Sequence, residues 1–206
     1  MDREDSMKNI LAILMPHLEG QENGNSGSIA VIMCGASGLS STTSPCIERI
    51  LTAKGAGKST LSSAIVDALP SFTRLSIDAI VADRHGIYNV DYPPSQYEVH
   101  LEDARQVLSE QAFEMLEKKK NIVLDSSFWA KKARDEYKAK VENAGGRWVL
   151  VFLKAERDVL WKRICERREK GINADSARDI SPALLDQFVR GFEMPEGEGE
   201  IVVIIE

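Results

Sequence analysis

The amino-acid sequence predicts an α/β protein built on a five-stranded parallel sheet with helices on both faces. Three observations carry this expectation. Apolar runs of strand length recur at Ile29–Met33, Thr73–Ile77, Ile122–Leu124, Trp148–Leu153 and Ile201–Ile205. They are nearly continuous rather than alternating, as strands covered on both faces are. Longer helical patterns separate them, at Thr60–Leu69, Gln96–Lys119, Ala130–Ala144, Glu156–Lys170 and Pro182–Phe192. The length of 206 residues, with 43% hydrophobic and 28% charged, suits one domain that buries roughly 70% of its unfolded surface. Strand–helix–strand connections of this kind are right-handed and wind the sheet doubly. In such sheets a ligand sits beyond the carboxyl ends of the strands.

Ahead of the first strand, Met7–Leu18 reads as a short amphipathic helix ending near Pro16. Residues Glu19–Ser28 are rich in Gly, Asn and Ser and read as a linker. Residues 1–28 are therefore expected to form a helix and flexible linker, and 29–206 the sheet domain. The net charge of −6 argues against duplex DNA binding, which needs a basic face. No apolar run reaches the roughly 20 residues that span a bilayer. The acidic start Met1-Asp2-Arg3-Glu4-Asp5 lacks the basic region of a secretion signal. Cys34, Cys46 and Cys165 have no metal-ligand spacing and read as reduced thiols. Together these features predict a cytoplasmic protein with no membrane partner.

The first strand runs into Gly35-Ala36-Ser37-Gly38, and Ala56-Gly57-Lys58-Ser59-Thr60 opens the next helix. A phosphate loop has the pattern G-x-x-x-x-G-K-[ST] between a strand and a helix. Its glycines let successive amides converge on phosphate oxygens, and the helix N-terminus adds positive potential. Read literally the pattern fails, because Thr52 stands five residues before Gly57. Removing Leu39 through Gly55 restores it in full, directly after the strand. The 17 residues Leu39–Gly55 therefore read as an insertion. The number of codons keeps the frame, and Gly38, Leu51-Thr52 and Lys54-Gly55 can be encoded by splice-like signals, so a retained intron is one origin; a genuine surface loop is the other. Closing such a loop costs about 2–3 kcal/mol, which the fold can absorb. The amide cradle is less tolerant, since the break falls between Gly38 and Ala56. Gly55 can stand in for Gly38 and preserve half of it. The intact chain is therefore expected to bind nucleotide poorly.

With the loop rejoined, the chain resembles the P-loop kinases of the AAA_33, zeta-toxin-like and polynucleotide-kinase-like group. The resemblance covers Ile29 to the C-terminus apart from the insertion. It rests on the split loop, Leu75-Ser76-Ile77-Asp78, Ile122-Val123-Leu124-Asp125-Ser126-Ser127-Phe128, the helix bearing Arg163, Arg167 and Arg168, and Phe192-Glu193-Met194-Pro195. It implies a three-layer α/β/α P-loop NTPase fold with strand order 2-3-1-4-5. It also implies transfer of the γ-phosphoryl group of ATP, with Mg²⁺, to a hydroxyl of a small molecule or a nucleic-acid end. In that reading Gly35, Ser37, Gly38, Gly55, Ala56, Gly57, Lys58, Ser59 and Thr60 bind nucleotide, with Ser59 and Asp125 at the metal. Asp78 accepts the acceptor proton, and Lys58, Arg163 and Arg167 act on the transferring group.

Each assignment has a structural competitor. Asp78 ends the second apolar run and could simply cap a helix starting near Ala79; Asp125 could likewise be a strand-end cap. Arg163 and Arg167 are four apart and share a helix face, with Arg168 elsewhere; surface charge is the alternative. Glu169–Asp179 is polar and resembles a lid, with Arg178 a weaker candidate. Lys131, Lys132 and Arg134 read as a solvated helix face, Asp83 and Arg84 as solvated helix residues, and Glu193–Glu200 as a solvated turn. His17, His85 and His100 are given no chemistry. Tyr88, Tyr92 and Tyr97 around Pro93-Pro94 mark either a packed loop or an acceptor-binding insertion. The alternatives to a kinase are a nucleotide switch without an acceptor and a non-binding product of a retained intron. The acceptor stays open between a sugar, a nucleoside, an RNA 5′ end and a UDP-sugar.

Overall fold

The computed structural model describes residues 3–19, 27–35, 56–169 and 180–206. Residues 36–55, which include the whole insertion Leu39–Gly55 with Ser37, Gly38 and Cys46, lie outside the described residues, as do 170–179 of the expected lid, including Arg178.

In chain order the elements are α1 (Arg3–Leu18), β1 (Ile29–Cys34), α2 (Lys58–Ala68), β2 (Phe72–Ser76), α3 (Ile77–His85), α4 (Tyr97–Glu117), β3 (Asn121–Asp125), α5 (Lys131–Asn143), β4 (Arg147–Ala155), α6 (Arg157–Glu169), α7 (Pro182–Gly191) and β5 (Glu200–Ile205). The five strands are all parallel, in the order β2-β3-β1-β4-β5. The expected order 2-3-1-4-5 and the three-layer architecture are therefore observed.

Strand β1 shows why its sequence is uniformly apolar. All six residues are buried, and they divide by alternation. Ile29, Val31 and Met33 enter one core, and Ala30, Ile32 and Cys34 the other. The first core takes Ile10, Leu14 and Leu18 of α1, Leu61 and Ile65 of α2, Leu160 and Ile164 of α6, and Leu185 and Phe188 of α7. The second takes Leu116 of α4 and Val141 of α5. Helix α1 extends through Pro16 to Leu18. Arg147 at the start of β4 donates to the His17 and Glu19 carbonyls, which ties the end of α1 to the sheet.

Two expectations are corrected here. Arg134 is not on a solvated face: it is 0% exposed. Its Nε and Nη2 grip both carboxylate oxygens of Glu198, at 2.8 and 2.6 Å, and its Nη1 donates to the Phe128 carbonyl at 2.9 Å. Glu198 is correspondingly buried, so the acidic turn before β5 is not wholly solvated. Lys138 adds a bond from Nζ to the Glu198 carbonyl oxygen. Periodicity suggested an outward charge because helix α5 is polar overall; the exception appears only once β5 brings its carboxylate across. Lys131 and Lys132 are exposed, as expected.

Next to this network, the Cys34 thiol faces the Phe128 carbonyl at 3.5 Å. Burial pushes it up to about 12, so its reactive thiolate is scarce at neutral pH. Iodoacetamide is expected to leave Cys34 unmodified in the native protein and to label it after denaturation, as peptide mass spectrometry would read. Native labelling of Cys34 would contradict this packing.

Candidate phosphate-binding and phosphoryl-transfer site

The described ends of the two motif segments, Gly35 on one side and Ala56 to Lys58 on the other, lie next to each other. Gly35 follows the last residue of β1, and Ala56 and Gly57 precede α2. The Lys58 ammonium lies 3.4 Å from the Gly35 carbonyl oxygen, across 23 positions of sequence. A Cβ placed on Gly35 would sit 3.3 Å from the Ala56 Cβ and 3.1 Å from the Leu153 carbonyl, so a side chain there would crowd the junction. Gly57 has φ +91° and forms the N-cap of α2, a conformation that favours glycine. No side chain caps this helix, and its first turn carries no acid. Amides are thus presented at the positive end of the helix dipole. The arrangement fits an anionic phosphate and is poorly matched to a cation.

Lys58 begins α2, two residues earlier than helical periodicity suggests, and is 8% exposed. Burial pushes its ammonium below the usual lysine range. The Asp125 and then the Asp78 carboxylate pull it back up, and Arg167 adds to the depression. Four residues singled out in the sequence therefore act on one another at this position. Ser59 is half-buried and Thr60 exposed in the same turn.

Asp78 needs a correction of place. Strand β2 ends at Ser76, and Asp78 is the second residue of α3. It is not the cap: the Ser76 hydroxyl accepts from the Ala79 amide at 3.3 Å. Serine wins the capping position because it is extended at φ −114°, ψ 125° directly before the helix. The N-cap is therefore Ser76, and Asp78 is the acid of the first turn.

Asp125 closes β3 opposite Ser76 in register and is 5% exposed. Its Oδ2 accepts from Arg74 Nη2 at 2.5 Å and Nε at 2.9 Å. Arg74 was not singled out in the sequence. A basic residue two positions behind a strand-ending serine was the available signal, since alternation puts Arg74 and Ser76 on one face.

The α6 arginines divide as their spacing suggests. Arg163 brings Nη1 within 3.6 Å of the position a Gly57 Cβ would take, and its Nη2 donates to the Glu206 carbonyl at 3.0 Å. Arg167 reaches Lys58 electrostatically. Arg168 turns away, donating to the Ile180 carbonyl and lying 5.7 Å from the Trp161 ring.

At the end of α3, His85 bonds Asp103 at 2.7 Å and stacks on His100 at 3.9 Å between ring centroids. Arg84 binds the same carboxylate at 2.8 Å. Tyr88, Tyr92 and Tyr97 meet edge to face, and Tyr92 and Tyr97 are buried. These side chains pack α3 against α4, which favours the packed-loop reading. Among the described residues no group of three metal-ligating side chains is present, and no helix is long and apolar enough to cross a membrane.

A strand–loop–helix with a buried lysine at the centre of a 2-3-1-4-5 sheet defines the P-loop class. The AAA_33 family model, an AAA domain, matches residues 53–195. The chain belongs to that family. No curated protein matches it. Among solved structures it is similar to a protein assigned as a kinase from Chloroflexus aurantiacus, with 20% identity, TM-score 0.61, and coverage of 87% of this chain and 88% of that one. It is also similar to a gluconokinase from Sinorhizobium meliloti, with 21% identity, TM-score 0.53, and coverage of 87% and 83%. Chaetomium thermophilum Kti12 in complex with ADP-AlF3 matches with 16% identity, TM-score 0.57, and coverage of 85% and 88%. At such identities the likeness is one of fold.

Proposed function

We propose that this chain is an ATP-dependent kinase that transfers the γ-phosphoryl group to a hydroxyl of a small molecule or nucleic-acid end. We propose further that the residues between Gly38 and Ala56 weaken its hold on ATP. The observation that carries the reading is the contact of Lys58 with the Gly35 carbonyl across the interrupted motif.

In this reading Gly35, Ala56 and Gly57 and the first α2 amides receive the phosphates, with Lys58 at their outer oxygens. Ser59 and Asp125 are the residues that would hold Mg²⁺, which would neutralise phosphate charge and orient the transferring group. The acceptor oxygen attacks the γ-phosphorus as the bond to the β–γ bridging oxygen breaks. The hydroxyl proton passes to Asp78, and ADP departs. Arg163 and Arg167 offset the negative charge developing on the transferring oxygens.

The test compares the full chain with a variant lacking Leu39–Gly55. A ligand at a hundred times its Kd adds about 2.7 kcal/mol to stability, which a melting scan reads. ATP is expected to raise the melting temperature of the shortened variant more than that of the full chain. Acceptor-dependent ATP consumption separates a kinase from a switch that hydrolyses ATP with water alone. Failure of ATP to stabilise either protein would refute the proposal.

A further inference from the structure

We propose that Arg74 is a positioning residue of the phosphoryl-transfer site, orienting both Asp125 and the helix that carries Asp78. The inference rests on the kinase reading above and adds a residue that no sequence motif marks.

Asp125 is a carboxylate almost fully withdrawn from water. A buried charge of that kind is costly unless it is paired and hydrogen-bonded. Arg74 supplies both needs from the adjacent strand. Its Nε and Nη2 converge on a single oxygen, Oδ2, at 2.9 and 2.5 Å. The other oxygen, Oδ1, carries no hydrogen bond among the described residues. A fork closed on one oxygen holds that oxygen against β2 and leaves the other out of the ion pair; Asp125 is also the strongest carboxylate influence on Lys58.

The same guanidinium reaches further. Arg74 Nη2 lies 3.5 Å from the Ser76 hydroxyl, the group that caps α3 through the Ala79 amide. Asp78 is two residues beyond that cap. One side chain on β2 therefore connects the strand-end acid to the capping group of the helix bearing the proposed base. Its side chain is 24% exposed, so it borders the site without being sealed in the core. Lysine could supply the charge but not the planar fork.

The experiment measures ATP affinity of the full chain by calorimetry, with and without Mg²⁺, for the native protein and for Arg74→Gln, Arg74→Lys and Asp125→Asn. Charge-assisted bonds of this type correspond to about a tenfold change in affinity. Arg74→Gln is expected to lose about that factor from the magnesium-dependent gain in ATP affinity. Arg74→Lys should recover part of it. Adding Arg74→Gln to Asp125→Asn should cost little more than Asp125→Asn alone. A melting scan of each variant shows whether it is folded; should Arg74→Gln unfold, Arg74→Lys carries the test. A native protein that binds ATP with a magnesium gain untouched by either Arg74 substitution overturns the positioning role alone. A full chain that binds no ATP overturns this inference for the chain, and the deletion variant then decides the kinase reading separately.

Discussion

Glu198→Ala should lower the melting temperature by roughly 10 °C or more. The substitution strands the Arg134 guanidinium, which is 0% exposed and held by two bonds to that carboxylate. Removing one partner of a buried pair costs about 3–5 kcal/mol. For a domain of this size each kcal/mol moves the midpoint by about 2–4 °C. The loss also reaches the turn after β3, because Arg134 bonds the Phe128 carbonyl, and Phe128 sits at φ +39°. The double replacement Arg134→Met with Glu198→Leu should recover most of the loss, since neither charge is then left alone. Thermal melts of the two variants check this. Equal destabilisation by both would show that shape, not charge, governs the contact.

Lys58→Met should abolish most phosphoryl transfer while leaving the fold as stable as before or more so. Burial works against the Lys58 ammonium, and the Asp125 and Asp78 carboxylates offset part of that. A methionine of similar length fills the space without that penalty. On the proposed kinase reading the catalytic cost is the loss of a preorganised charge at the transferring group, about 10²–10³ in rate for one such donor. Turnover assays and melting scans on the same preparation separate the two effects. A variant that melts much earlier than the native protein would make Lys58 a structural residue. Opposed signs for stability and activity are the signature of a residue kept for function.

The strands were legible because parallel strands buried on both faces are apolar through their buried length, as β1 is throughout and β4 is from Trp148 to Leu153. Their ends were placed to within about two residues. Helix α3 was harder to see, because Ile77 and Val81 are its buried positions and the rest of its nine residues are mixed. The sequence around Ser76 and Asp78 therefore reads as continuing strand, although Ser76 caps α3 and Asp78 lies inside it. The conditional reading of the phosphate loop came from residue types alone, and the adjacency of Gly35 and Ala56 is what that reading required. The Arg134–Glu198 pair is hidden for a different reason. A charged side chain in a polar helix reads as exposed until its partner, 64 positions away, is brought to it. Arg74 escaped notice likewise, since its partner Asp125 is 51 positions distant. Sequence spacing reports local periodicity well and long-range pairing poorly.

The family match starts at residue 53 and stops at 195, yet β1 occupies the middle of the sheet, between β3 and β4. A fragment trimmed to the matched segment would be missing its keystone. Its β3 and β4 edges would lie two strand spacings apart, roughly 9–10 Å, with backbone donors and acceptors bared along both sides of the gap. Such a fragment is a template for foreign strands rather than a smaller version of the protein.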